Sequence, residues 1–106
     1  MTARAAHPLS ALADPTRQHI VEMLASGALS SGEIADRFEL SAPAISQHLK
    51  TLKTARLVCV QVDAQKRIYS LNPEGMAEVT DWVDRIRAFW NPRLDALEAA
   101  LKKDGK

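Results

Sequence analysis

Between Ser41 and Leu71 the apolar residues change their repeat, and this change restricts the fold more than any other feature of the chain. From Ser41 to about Thr54 the period is helical. Ile45, Leu49 and Leu52 share one stripe, while Pro43, Ser46, Gln47, Lys50 and Thr54 lie opposite. One face is built to pack, and the other carries hydrogen-bonding groups and a charge. From Leu57 to Val62 the period becomes two: Val58, Val60 and Val62 alternate with Cys59 and Gln61, as in a half-buried strand. A second strand-like segment, Arg67 to Leu71, follows Asp63-Ala64-Gln65-Lys66, so a hairpin is expected, ended by Asn72-Pro73.

The flanking segments read as helices. The first spans about Pro8 to Ala13. Asp14 is a good N-cap for the second, and Pro15 suits a first helical position, where a missing N–H costs nothing. Ile20, Val21, Leu24 and Leu29 are expected to point inward, with Gly27 marking the helix end. Ser30 and Glu33 form a capping-box pattern, and Ile34, Ala35 and Phe38 give the apolar face of the short helix that follows. Glu39-Leu40 turns the chain, and Ser41 caps the next helix. At the other end, Glu74 to Lys103 places Met76, Val79, Val83, Ile86, Trp90, Leu94, Leu97 and Leu101 three or four residues apart, with Trp82 and Phe89 widening the stripe. Pro92 either kinks one long helix or starts a second with Asn91 as its cap.

The expected fold is therefore mainly α with a small β-hairpin wing, in the order α-α-α-α-β-β-α: a winged helix-turn-helix. One domain over residues 1–106 suits the length. Charge adds a direction. The net charge is only +1, yet residues 42–70 carry Lys50, Lys53, Arg56, Lys66 and Arg67 against Asp63 alone. Such a local basic patch attracts phosphates. The major groove of DNA is about 12 Å wide and admits one helix.

The residues Leu12-Ala13-Asp14-Pro15-Thr16-Arg17, Ile34-Ala35, Leu40-Ser41, Ile45-Ser46-Gln47-His48-Leu49-Lys50-Thr51-Leu52, Leu57-Val58 and Arg67-Ile68-Tyr69-Ser70-Leu71 together resemble the ArsR/SmtB family of bacterial repressors. The resemblance covers nearly the whole chain in the family's order. It implies a dimer in which the first and last helices pair across a two-fold axis. On that reading residues 14–71 are the DNA-binding core, and residues 1–13 and 74–103 are dimerisation helices. The chain departs from the family at three glycines: Glu39 stands in the helix-turn-helix turn, Arg56 before the Leu-Val strand, and residues 63–66 contain none.

The expected partner is double-stranded DNA, bound by a homodimer at a pseudo-palindromic operator. The residues expected to meet it are Ser41, Pro43, Ser46, Gln47, His48, Lys50, Lys53, Lys66 and Arg67. Gln47 is the best base-edge reader, because its amide both donates and accepts. His48 sits on the flank of the apolar stripe, where packing or phosphate bonding suits it better than base reading. Arg17 has two equal readings, phosphate or an acidic neighbour. The expected dimer interface uses Leu9, Leu12, Val79, Trp82, Val83, Ile86, Phe89, Trp90 and Leu97, an aromatic load beyond what a small three-helix core needs.

No cofactor and no metal are expected, and no residue selects an effector. Relatives with metal sites use a Cys-x-Cys pair before the recognition helix, or Asp and His on the last helix. Here Glu33 to Glu39 contains no cysteine, and Asp81 and Asp84 have no histidine after them. His7, His19 and His48 are scattered, and zinc needs about four convergent ligands. An intersubunit site built on His7 is the competing possibility. Cys59, the one cysteine, excludes an internal disulfide and fits a reducing cytoplasm; a thiol switch there is a second competitor. No signal-like or membrane-spanning run is seen. A winged-helix module that binds protein is the alternative from another class. An enzyme is least supported, because no phosphate loop, nucleophile–base pair or ligand set is present.

Overall fold

The computed structural model describes residues 7–104. The first six residues of the expected dimerisation segment 1–13 lie outside the described residues. Five helices and three strands follow in order: α1 (Pro8–Ala11), α2 (Pro15–Ala25), β1 (Leu29–Ser30), α3 (Ser31–Ala35), α4 (Ala42–Thr54), β2 (Val58–Asp63), β3 (Lys66–Leu71) and α5 (Pro73–Asp104). The sheet is antiparallel in the order β1-β3-β2.

The helix starts are set by short polar side chains. The Asp14 carboxylate accepts from the Arg17 N–H at 3.0 Å. Ser30 accepts from the Glu33 N–H at 3.1 Å while Glu33 accepts from the Ser30 N–H at 2.8 Å, closing the expected capping box. Ser41 accepts from the Ala44 N–H at 3.2 Å. Each such cap contributes about 1 kcal/mol. The backbone bonds also stabilise the ionised carboxylates. The Arg17 N–H holds the Asp14 carboxyl below its ordinary 3.8, and the Ser30 N–H holds Glu33 below its ordinary 4.5.

The core lies where α2, α3 and α4 meet the sheet. Ile20, Ile34, Ile45, Leu49, Leu52 and Leu57 are fully buried. Burying each such side chain contributes about 1.5–3 kcal/mol. Ile45, Leu49 and Leu52 are the predicted apolar stripe of α4, and they are its buried residues.

Four local features differ from the sequence reading or decide what it left open. A third strand exists: Leu29, past the end of α2, lies in β1, paired to Tyr69. Gly27, at φ +148°, stops α2 before it, and a two-residue strand is too short to show a period. The short helix α3 ends at Ala35 rather than reaching Phe38, which packs half-buried beyond it. Val62 does not face inward; it is 72% exposed, because the hairpin projects past the body after Val60. Finally, α5 is one helix through Pro92. Pro92 has no N–H to give the Ala88 carbonyl; beside it the Arg93 guanidinium donates to the Phe89 carbonyl at 2.7 Å and lies 3.8 Å over the Phe89 ring.

Two of the three positions lacking the family's glycine are in the left-handed region: Arg56 at φ +66° and Ala64 at φ +58°. Each costs about 1 kcal/mol relative to glycine. At Arg56 the chain gains a contact in return, since its guanidinium pairs with Glu78 of α5 at 3.0 Å, an ion pair without hydrogen-bond alignment. The glycine that this junction requires is on the other side. A Cβ on Gly75 would sit 1.7 Å from the Arg56 carbonyl oxygen, so only glycine lets the first turn of α5 lie on that backbone.

Gly75→Ala is therefore expected to destabilise the fold by roughly 2 kcal/mol or more, despite alanine's better helix propensity. Urea denaturation measures this, and unchanged stability would show that α5 is not seated so closely. A second expectation concerns pH. A carboxylate with a lowered folded pKa contributes stability above its ordinary value and loses it as pH falls through the lowered one. Asp14→Asn keeps a capping oxygen but no charge. It should melt below the wild type at pH 7, and the difference should close as the pH drops below 3.8.

Candidate nucleic-acid interface

The polar face of α4 does not stand alone. Ser46, Gln47, Lys50 and Lys53 line an open cleft of about 440 Å³ whose other walls are Ser31 of α3 and Arg67 and Tyr69 of β3. The chain builds this by three local rules. The buried stripe Ile45–Leu49–Leu52 turns the other side of α4 outward. The capping box starts α3 at Ser31, beside the cleft. Arg67 and Tyr69 are two residues apart on a strand and so share a face. Three cations line the cleft, and none of its lining residues is acidic.

The nine expected residues separate into groups. Ser46, Gln47, Lys50, Lys53 and Arg67 come together in the cleft. Pro43 is exposed in the first turn of α4, and Ser41 spends its hydroxyl on capping that turn. Lys66 is exposed at the start of β3, opposite Asp63 across the hairpin loop, and does not line the cleft. His48 does not line it either. Its Nδ1 is 3.2 Å from the Arg17 guanidinium and 3.9 Å from the Asp14 carboxylate, on the side of α4 that meets α2. Two lining residues escaped the sequence reading. The strand period offered Tyr69 once Arg67 was chosen, whereas nothing local to Ser31 pointed to it.

Sequence and structure comparisons give the family and the fold. The profile of the bacterial regulatory protein arsR family matches residues 14–60, from the α2 cap into β2. The HTH-type transcriptional regulator Rv2034 of Mycobacterium tuberculosis is 46% identical over 90% of this chain and 86% of its own length. The transcriptional repressor SdpR of Bacillus subtilis is 37% identical over 69% of this chain and 81% of its own.

The chain belongs to the ArsR family.

A crystal structure of a possible transcriptional regulator for arsenical resistance superposes on this ArsR-family chain with a TM-score of 0.74 and 38% identity, covering 90% of this chain and 96% of that one. The fold is the family's winged helix-turn-helix, with α3 and α4 as the helix-turn-helix and β2–β3 as the wing. The protein is a DNA-binding transcriptional regulator, and the family's work is binding rather than catalysis. No helix among the described residues is long and apolar enough to cross a membrane.

The expected interface residues also separate. Leu12 and Val79 pack against the chain's own core, and Leu9 and Val83 are half-buried. Trp82, Ile86, Phe89, Trp90 and Leu97 are exposed, and so are Leu94 and Leu101. The described chain extends over 64 × 36 × 22 Å, because most of α5 runs past the body that its first turns cover.

Proposed function

We propose that this chain is a metal-independent repressor, acting in the cytoplasm as a homodimer that places one α4 in each half-site of a pseudo-palindromic operator. The observation that carries the proposal is the cleft on α4, with its three cations and no acidic residue among its lining. Phosphates supply much of the affinity of such surfaces and base edges supply the sequence preference. Lys50, Lys53 and Arg67 suit the first task. Gln47 suits the second, because its amide can bond an adenine edge at two points. Lys66 adds a cation at the wing tip. Repression is the activity named for SdpR.

The dimer rests on α5. An exposed row that includes Trp90 at 49% and Leu101 at 61% is costly in water and typical of an interface that resembles a core cut in half. Metal independence is supported by where the donors are engaged. His7 accepts from the Leu9 N–H, His19 packs edge-on against Phe38, and His48 bonds Arg17.

Selection of bound duplexes from a random pool tests the proposal, and no preference for any duplex over heparin would overturn it. Gln47→Ala should then change the preferred sequence; equal loss on every sequence would remove Gln47 as a reader. Arg67→Ala and Lys66→Ala should weaken binding across sequences and each shallow the salt slope by up to about 0.9. Ile86→Asp should leave a folded monomer by sedimentation and circular dichroism. A dimer that survived the substitution would exclude this face.

A further inference from the structure

Arg17 joins three elements that a bound operator must keep in fixed relation. Its backbone N–H is held by Asp14 at the start of α2. Its Nε donates at 2.7 Å to the carbonyl of Ala11, the last residue of α1 and itself buried. Its guanidinium reaches Nδ1 of His48, on α4, at 3.2 Å. The neighbouring Gln18 donates to the Leu12 carbonyl at 2.7 Å, so α2 caps the open end of α1 with two side chains. Arginine has no acceptor. The Arg17–His48 bond therefore needs the lone pair of Nδ1, which puts the ring proton of His48 on Nε2.

We propose that Arg17 is the positioning residue of the DNA-binding surface: it fastens the recognition helix to α1 through the Nδ1 acceptor of His48. His48 is thus a fastening point on the rear flank of α4 rather than a reader in the cleft. The proposal rests on the dimeric reading only for its consequence at DNA. Two half-sites are about 34 Å apart or a multiple of that, so each α4 must keep its angle to the elements near the two-fold axis. α1 is such an element, packed against α5. Freeing α4 from α1 harms the simultaneous fit of two helices more than the fit of one.

The experiment compares two duplexes of equal length, one with both selected half-sites and one with a half-site scrambled. Arg17→Met and His48→Ala should each weaken binding to the two-site duplex about tenfold, as loss of a hydrogen bond to a charged group does. Binding to the one-site duplex should change less than twofold. The double variant should be no worse than the weaker single one, and His48→Asn, which keeps an acceptor at the Nδ1 position, should behave as the wild type. Equal losses on both duplexes, or additive losses in the double variant, would overturn the proposal, since a general weakening of the fold acts in those ways. A second measurement needs no DNA. Imidazole nitrogen-15 spectra of the free protein should show His48 protonated on Nε2, with that preference lost in Arg17→Met; a proton on Nδ1 in the wild type would overturn it. A wild type that bound both duplexes equally would sink the dimer reading instead, and the imidazole spectra alone would then decide the role of Arg17.

Discussion

The burial of Ile45, Leu49 and Leu52 is the constraint from which the remaining architecture follows. All three side chains are 2% exposed or less. A helix that seats one stripe so fully has no rotational freedom left, and its opposite face must meet solvent or a partner. The body around α4 serves that seat. α2 and α3 supply Ile20, Leu24 and Ile34, and the sheet supplies Val58 and Tyr69. The apolar seat thereby sets which way the polar face points, and the Arg17–His48 contact adds a polar hold on the flank of α4. This separation lets Ser46, Gln47, Lys50 and Lys53 vary in chemistry at small cost to the fold, which is what a reader of sequence requires.

The junction between α4 and α5 shows how local strain is placed. Arg56 turns the chain with a positive φ that glycine would adopt at no steric cost. The turn is nonetheless well held: the Leu57 N–H bonds the Leu52 carbonyl at 3.0 Å, and the Asn72 N–H bonds the Leu57 carbonyl at 2.9 Å. Gly75 then lets α5 lie against the turn, and Glu78 pairs with the Arg56 side chain. An arginine at this position thus exchanges about 1 kcal/mol of backbone strain for an ion pair. The pair is only partly exposed and lacks hydrogen-bond alignment, so the exchange is close to even rather than a gain.

Legibility in the sequence followed the range of the forces. Caps act over three residues, and Asp14, Ser30 and Ser41 were readable directly. The stripe of α4 was readable because its period survives for a whole helix. Features set by distant partners were not. β1 exists because β3 offers an edge far along the chain, and Leu29 carries no sign of it. Val62 fits the strand period but has nothing to pack on at the wing tip. Gly75 looks like a poor helix residue until the Arg56 carbonyl is placed against it. In the site, the helical face was legible and its far walls less so: Arg67 was found by charge, while Ser31 needed the fold. His48 was legible as an alternative: its place on the flank of the stripe suited packing, and its ring faces the scaffold.

A net charge of +1 is no obstacle to binding a polyanion when charge is segregated. The cations of residues 42–70 gather around α4 and the wing, whereas along the first half of α5 Glu74, Glu78, Asp81 and Asp84 outnumber Arg85 and Arg87. On the proposed reading a phosphate lattice attracts the α4 and wing side more than the rest, so the field orients the protein as well as drawing it in. Screening at physiological salt reduces such fields beyond about 8 Å, and only charges that reach the backbone keep their full effect. On the proposed reading, orientation at close range is governed by the few cations in the cleft. For a regulator that must discriminate among very many competing sites, a weak overall charge with a sharply local patch serves specificity better than a uniformly basic surface would.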